Sequence, residues 1–170
     1  MATDEFVIHT PSFDAAKYWP GGLAWQANYA LLFARCIANG KDLGVQSFFI
    51  PIRDLETHQT LKGVEIGDLG EMLGYNGIDN GYLVLDKYRV PRSTMLSRYV
   101  TLTREGKLKL LGHPKLMYQV MVQTRIAICN FNSNILYRAA MCTIRYSACR
   151  RQFKTVKDSK RERKILDYQT

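Results

Sequence analysis

Two patterns of apolar and polar positions divide this chain, and they meet at His113-Pro114. Before that point, short runs rich in β-branched and aromatic residues alternate with Gly, Pro and Asn. Phe6-Val7-Ile8 opens as a strand closed by Thr10-Pro11, and Ala15 to Trp19 predicts a second, stopped by Pro20-Gly21-Gly22. Ala24 to Ile37 fits neither period cleanly. It is read as a strand because Asn39-Gly40-Lys41 is a hairpin turn signal and Val45 to Ile52 beyond it is plainly strand-like. Tyr82 to Val90 predicts one long strand ended by Pro91, with apolar members Leu83, Leu85 and Tyr88, and Arg104-Glu105-Gly106-Lys107 predicts a further hairpin turn. The glycines at 63, 67, 70, 74, 77 and 81 are read as turns, since no Gly-Lys-Ser/Thr of a P-loop and no GxGxxG after a strand is present.

From Lys115 to Phe153 there is no glycine or proline, and Leu116, Met117, Val120, Met121, Ile128, Phe131, Ile135, Leu136, Ala139, Ala140 and Ile144 fall at helical spacing. The change of period predicts an α+β chain: a barrel-like β domain over residues 1–112, then a helical part over 113–170 that starts with one long helix. At 1.5 Å per residue that helix is about 60 Å long, so the β part cannot cover its apolar stripe. The helix therefore needs partners outside the chain, in an oligomer or in a continuing natural protein. Ile165 to Thr170, which reads as the first turn of another helix, favours continuation.

A length of 170 residues with ordinary apolar and charged fractions suits a folded domain rather than disorder. No run of eighteen apolar residues is present, which excludes a spanning helix, and Met1 to Glu5 lacks the features of a secretory signal. An intracellular protein is expected. Cys36, Cys129, Cys142 and Cys149 form no CxxC and have no His at ligand spacing, so free thiols and no metal are expected. The net charge of +9 is concentrated between Arg150 and Lys164, which hold eight basic residues against two acidic ones. Few aromatics interleave that run to stack bases, so it reads as a solvated segment, with polyanion binding as the alternative and no nucleic-acid partner.

The candidate chemistry lies at Lys17-Tyr18-Trp19-Pro20-Gly21-Gly22. Pro20 pushes Trp19 toward an extended conformation, and the glycines leave bare backbone beside a flat indole. Such a turn suits a planar, polar-edged ligand such as a flavin or a nucleobase. The plainer reading is a core aromatic capping a strand.

That turn, Gly74-Tyr75 followed by Ile78-Asp79-Asn80-Gly81-Tyr82, Arg89-Val90-Pro91-Arg92 with Met95-Leu96, and Ile144 to Gln152 together resemble the peroxisomal acyl-CoA oxidases. The four motifs keep their order and spacing over about 140 positions, whereas each alone is weakly specific. The chain looks like a middle segment of that much longer family: most of the β domain and the first long helix of the C-terminal helical region. The resemblance implies FAD as cofactor, a fatty acyl-CoA substrate, O2 as acceptor, a homodimer with FAD across its interface, and the peroxisome as location, although no targeting signal is visible. Carried over by position, it implies FAD contacts at Trp19, Gly21 and Gly22, and at Arg150, Gln152 and Phe153 of the Tyr-x-x-x-Arg-x-Gln-Phe pattern that begins at Tyr146. Arg150 would meet the pyrophosphate of the FAD in the neighbouring subunit, a task that suits a guanidinium with paired donors. Arg125 would lie near the acyl end of the substrate pocket, its plainer reading being a surface helix arginine.

The chain also departs from the family. The catalytic glutamate lies in a later helix and has no counterpart here, so no residue of this chain is assigned a catalytic role. The N-terminal helical domain and the first β strands are missing, and the family's glycine midway along the long helix is replaced around Asn130-Phe131-Asn132. The alternative reading is a non-catalytic truncated paralogue that acts as a dimerisation or interaction protein.

Overall fold

The computed structural model describes residues 3–113, 115–154 and 160–168. Met1, Pro114, residues 155–159 of the basic run, residues 169–170, and the side chains of Met117 and Val120 lie outside the described residues. Two compact units result, Met1–Pro114 and Lys115–Thr170.

The first unit is built from nine strands: β1 (Glu5–Ile8), β2 (Lys17–Gly21), β3 (Tyr29–Ala38), β4 (Lys41–Pro51), β5 (Val64–Asp68), β6 (Asn80–Leu85), β7 (Tyr88–Pro91), β8 (Val100–Leu102) and β9 (Leu108–Leu110). All described pairings are antiparallel, in the groups β1-β7, β2-β6-β5, β3-β4 and β8-β9. These four sheets do not close, so the β domain is a set of small open sheets and not a barrel. They enclose Leu32, Phe48, Ile50, Ile52, Leu83, Leu85, Val90 and Leu102, all buried. Phe6 meets Phe48 edge to face with ring centroids 5.1 Å apart, joining β1 to β4.

The β3-β4 hairpin turns at Asn39 and Gly40, with φ of 51° and 70°. Positive φ at both central residues gives the twist that a two-residue hairpin turn needs, and Asn-Gly supplies it at least cost. Arg104 to Lys107 likewise joins β8 to β9.

Several strand expectations are corrected. The predicted strand from Ala15 to Trp19 is a 3-10 turn over Phe13–Ala15 followed by β2, which runs through Pro20 to Gly21. The single strand from Tyr82 to Val90 is two, because Lys87 takes a φ of 46° and sends β7 to pair with β1 instead of continuing beside β2 and β5. The strand expected from Ala24 begins only at Tyr29 and ends at Ala38. Side chains, not a ladder, satisfy the backbone before it: the carbonyls of Leu23, Ala24 and Ala27 accept from Arg53, and the amides of Trp25 and Gln26 donate to Asp79. Two of the glycines read as turns lie within strands. A Cβ at Gly67 would fall 2.1 Å from the Tyr82 ring, and one at Gly81 would fall 2.9 Å from the Ala24 nitrogen, so both make room for close packing.

Among its described residues the second unit contains one α-helix, α1 (Leu116–Cys149), 34 residues and so about 51 Å long. It ends four residues earlier than expected because Arg150 turns to an extended conformation (φ −65°, ψ 130°). The expected single apolar stripe is also corrected. Ile126, Ile128, Phe131, Ile135, Leu136 and Ile144 are all exposed, and at 100° per residue they spread over more than one side of the helix. Apolar residues around most of the circumference mark a helix meant to be surrounded. Among the described residues, no helix is long and apolar enough to cross a membrane. Ile165–Asp167, expected to start another helix, forms a single 3-10 turn. Of the free thiols, Cys36 is buried in β3 and the other three are exposed on α1.

Candidate functional site

Tyr18 pairs with Tyr82 and Gly21 with Asn80, so Trp19 and Pro20 together face the single residue Gly81. This two-against-one count is a β-bulge, a device that bends a strand and re-aims a side chain. Trp19 occupies it with φ of 71°, not in the extended conformation expected before a proline. The bulge overrides the local preference. A left-handed non-glycine residue costs about 1–2 kcal/mol and persists only where its surroundings enforce it. Trp19 is 51% exposed.

The backbone after the bulge is nearly free of side chains. A Cβ on Gly21 would meet Ile78 Cγ2 at 3.1 Å, while Gly22 has φ of 75° and open space around it. The Ala27 amide donates to the Gly22 carbonyl at 2.8 Å and closes a loop over residues 22–27. A cavity of about 200 Å³ lies beside Pro20 and Gly21, with Leu23, Ala27, Tyr29 and Leu83 among its walls.

Four residues distant in sequence hold this loop. Buried Arg53 donates through Nη1 to the Leu23 and Ala27 carbonyls at 3.1 and 2.7 Å, and through Nη2 to the Ala24 carbonyl at 2.6 Å. Asp79 Oδ2 accepts the amides of Trp25 and Gln26 at 2.6 and 3.1 Å, while its buried Oδ1 has no protein partner. The Trp25 indole donates to Asp68 at 2.8 Å, and His58 Nε2 approaches the Trp25 carbonyl. The Gly70 amide first, and the Trp25 indole second, hold the Asp68 carboxyl below its usual range. Sequence reasoning missed Arg53, His58 and Asp68; an arginine beside the apolar strand Val45 to Ile52 was the available signal for the first.

Arg125, Arg150, Gln152 and Phe153 belong to the second unit. Arg125 Nη1 donates to the Tyr118 hydroxyl at 3.2 Å and its guanidinium lies 5.6 Å from that ring's centroid, one helical face carrying both. Residues 150–153 run antiparallel to 163–165: Arg151 pairs with Lys164, the Gln152 amide donates to the Arg163 carbonyl at 2.9 Å, and the Arg163 amide to the Phe153 carbonyl at 3.0 Å. The Tyr168 hydroxyl donates to the Gln152 carbonyl at 2.7 Å. Part of the basic run, read above as a solvated segment, is therefore an ordered pairing that presents Arg150 and a 70% exposed Phe153. The backbone of Arg150 is fixed on both sides, by donation to the Tyr146 carbonyl at 2.8 Å and by acceptance from the Ile165 amide at 2.9 Å.

Residues 118–170 match the acyl-CoA oxidase C-alpha1 domain family. The whole chain is similar to peroxisomal acyl-coenzyme A oxidase 1 of Arabidopsis thaliana, 45% identical over 99% of this chain and 26% of the relative. It is 40% identical to the peroxisomal acyl-coenzyme A oxidase 1 of Rattus norvegicus, over 99% of this chain and 25% of the relative. The Arabidopsis acyl-CoA oxidase 1 structure superposes with a TM-score of 0.89 at 44% identity, over 98% of this chain and 26% of that one. Acyl-CoA oxidase-2 of Caenorhabditis elegans, bound with FAD, ascaroside-CoA and ATP, superposes with a TM-score of 0.90 at 40% identity, over 98% of this chain and 25% of that one. The chain thus spans about a quarter of the length of the relatives it matches. Along nearly its whole length the chain is thus similar, by sequence and by fold, to a segment of the acyl-CoA oxidases, and residues 118–170 match their C-alpha1 domain family.

Proposed function

We propose that this chain forms part of a peroxisomal, FAD-dependent acyl-CoA oxidase. In the complete protein, a fatty acyl-CoA loses two hydrogens from Cα and Cβ to give the trans-2-enoyl-CoA, and O2 takes up the two electrons and two protons as H2O2. The observation that carries this reading is the match of 99% of this chain, at 45% identity, to the peroxisomal acyl-coenzyme A oxidase 1 of Arabidopsis thaliana.

The residues present fit a flavin. A half-exposed indole stands on a bulge next to Gly21 and Gly22, where one added Cβ would strike Ile78 and the next residue has a positive φ. FAD, when bound, supplies the two-electron acceptor for the desaturation. The chain's own part is to bind and orient. Trp19 offers a flat face, while Gly21 and Gly22 let backbone approach without a side chain between. Arg150, with Gln152 and Phe153 beside it, offers paired N–H donors to a pyrophosphate from a second subunit of a homodimer. Arg125, steadied by Tyr118, is assigned to the acyl end of the substrate pocket. Proton removal from Cα is assigned to the glutamate of the family's later helix and to none of the residues named here.

The test joins this segment to the remaining parts of a full-length relative and measures acyl-CoA-dependent H2O2 formation. FAD-dependent turnover that falls with Trp19→Ala or Arg150→Ala supports the assignment. Turnover by the 170-residue chain alone would overturn the division of roles, and a reconstructed protein that binds no FAD would favour the non-catalytic interaction protein.

A further inference from the structure

Arg53 is buried, 94% removed from solvent, yet among the described residues its partners are carbonyls and not carboxylates. A buried guanidinium that is matched only by carbonyls is costly unless each contact is needed. All three carbonyls it holds, those of Leu23, Ala24 and Ala27, belong to the loop that follows Gly22. Those residues connect to the proposed flavin turn by two short routes. The Ala27 amide bonds to the Gly22 carbonyl, and the Ala24 backbone lies so close above Gly81 that a Cβ there would come within 2.9 Å of its nitrogen. Gly81 is in turn the residue opposite the Trp19-Pro20 bulge, between the partners of Tyr18 and Gly21. Leu23 and Ala27 also wall the cavity beside Gly21.

We propose that Arg53 is a positioning residue for the cofactor: by gripping three carbonyls of the 22–27 loop, it holds the Trp19–Gly22 bulge in the geometry that receives the flavin. This rests on the reading of Trp19, Gly21 and Gly22 as FAD contacts. The planar fork of arginine suits the task because it reaches carbonyls in three directions at once. A lysine at the same place keeps the charge but has no fixed fork.

The test uses the reconstructed full-length protein, with Arg53→Lys and Arg53→Met introduced in this segment. FAD binding is followed by quenching of flavin fluorescence, and backbone order by amide hydrogen exchange without FAD. The expected result is faster exchange at Trp25, Gln26 and Ala27, unchanged exchange in the β3-β4 hairpin, and FAD binding weaker by about tenfold or more in both variants. Wild-type loop exchange and FAD affinity in both variants overturn the proposal. So does a uniform loss of protection across the β domain, which would make Arg53 a core residue only. FAD binding that is absent from the unsubstituted reconstructed protein overturns the flavin reading itself, whether or not Arg53→Lys frees the loop; FAD binding that survives a freed loop overturns the role of Arg53 alone.

Discussion

The carboxylate of Asp79 holds the backbone amide of Trp25 at 2.6 Å across 54 positions of sequence. A second amide, from Gln26, shares the same oxygen at 3.1 Å, so one side chain satisfies two loop donors that no strand pairs. Hydrogen bonds to a charged acceptor contribute about 1.5–3 kcal/mol each, and two on one oxygen do not add fully. Asp79→Ala is expected to lower the stability of the β domain by about 2–3 kcal/mol, and Asp79→Asn by less, since its amide oxygen still accepts. Urea unfolding followed by tryptophan fluorescence measures both. An Asp79→Ala midpoint equal to wild type would show that the loop is held without it.

Trp19 allows strain and side-chain contact to be separated. Its φ of 71° suits glycine, whereas alanine keeps the steric penalty and also removes the indole. Trp19→Gly is therefore expected to be more stable than Trp19→Ala by about 1 kcal/mol, in spite of the greater unfolded-state entropy of glycine. Both should lose FAD affinity. Equal stabilities in a denaturant titration would place Trp19 outside the left-handed region in solution.

Gly81 has no space for a methyl group, with Ala24 N and Gly67 O each 2.9 Å from its Cβ position. Both are backbone atoms and cannot swing aside. Gly81→Ala should cost about 1–3 kcal/mol, the range for overpacking, and should shift the Ala24 and Gly67 amide resonances together. A fully wild-type melt and spectrum would rule out this close approach of loop and strand.

How far these features could be read from the sequence follows from the range of the forces involved. The β3-β4 turn was legible because Asn39-Gly40 encodes its own backbone angles, and the helix because a long run without glycine or proline offers no place to break it. The loop at 22–27 was not, since its backbone partners, Arg53 and Asp79, lie about 30 and 50 positions away and leave no local trace. Trp19 failed for a related reason: a pre-proline residue prefers extended angles, but the register of β2 on β6 decides otherwise. Strand ends suffered likewise, because Asp86-Lys87 looks like strand until β7 finds β1. The turn at Trp19, Gly21 and Gly22 was visible as residue types; Arg53 and Asp79, which hold the loop beside it, were not.

The α1 surface leads to a prediction about association. Ile126, Ile128, Phe131, Ile135, Leu136 and Ile144 are all exposed, and monomers rarely leave so many large apolar side chains of one helix bare. Because these residues lie on several sides, association of two copies along one seam would not cover them all. The isolated chain is expected to form dimers and larger species that grow with concentration in sedimentation velocity, and Ile135→Glu with Leu136→Lys should reduce them. A single monomeric boundary at all concentrations, with a cooperative melt, would contradict this.

Arg150 gives the sharpest test of the second unit. Its main chain fixes the end of α1 by donation to the Tyr146 carbonyl and acceptance from the Ile165 amide, so truncation of its side chain leaves those bonds in place. Arg151 differs, because its guanidinium donates to the Glu162 carbonyl at 2.9 Å and joins the two segments of the pairing. If the exposed guanidinium of Arg150 meets a pyrophosphate, its loss removes a charge-assisted contact that contributes about 1.5–3 kcal/mol, or roughly ten- to a hundredfold in affinity. Arg150→Ala should therefore weaken FAD binding by that factor with little change in melting temperature. Arg151→Ala should loosen residues 150–153 in hydrogen exchange and affect FAD only through that loosening. Calorimetric titration with FAD, together with amide exchange, separates the two effects in the reconstructed full-length protein. Because the pyrophosphate would come from the opposite subunit, the Arg150→Ala defect should also be relieved in a mixed dimer at the one site whose arginine remains. Unchanged FAD affinity in Arg150→Ala, with Arg151→Ala as the weaker binder, would move the phosphate contact away from Arg150 and leave the end of α1 as scaffold.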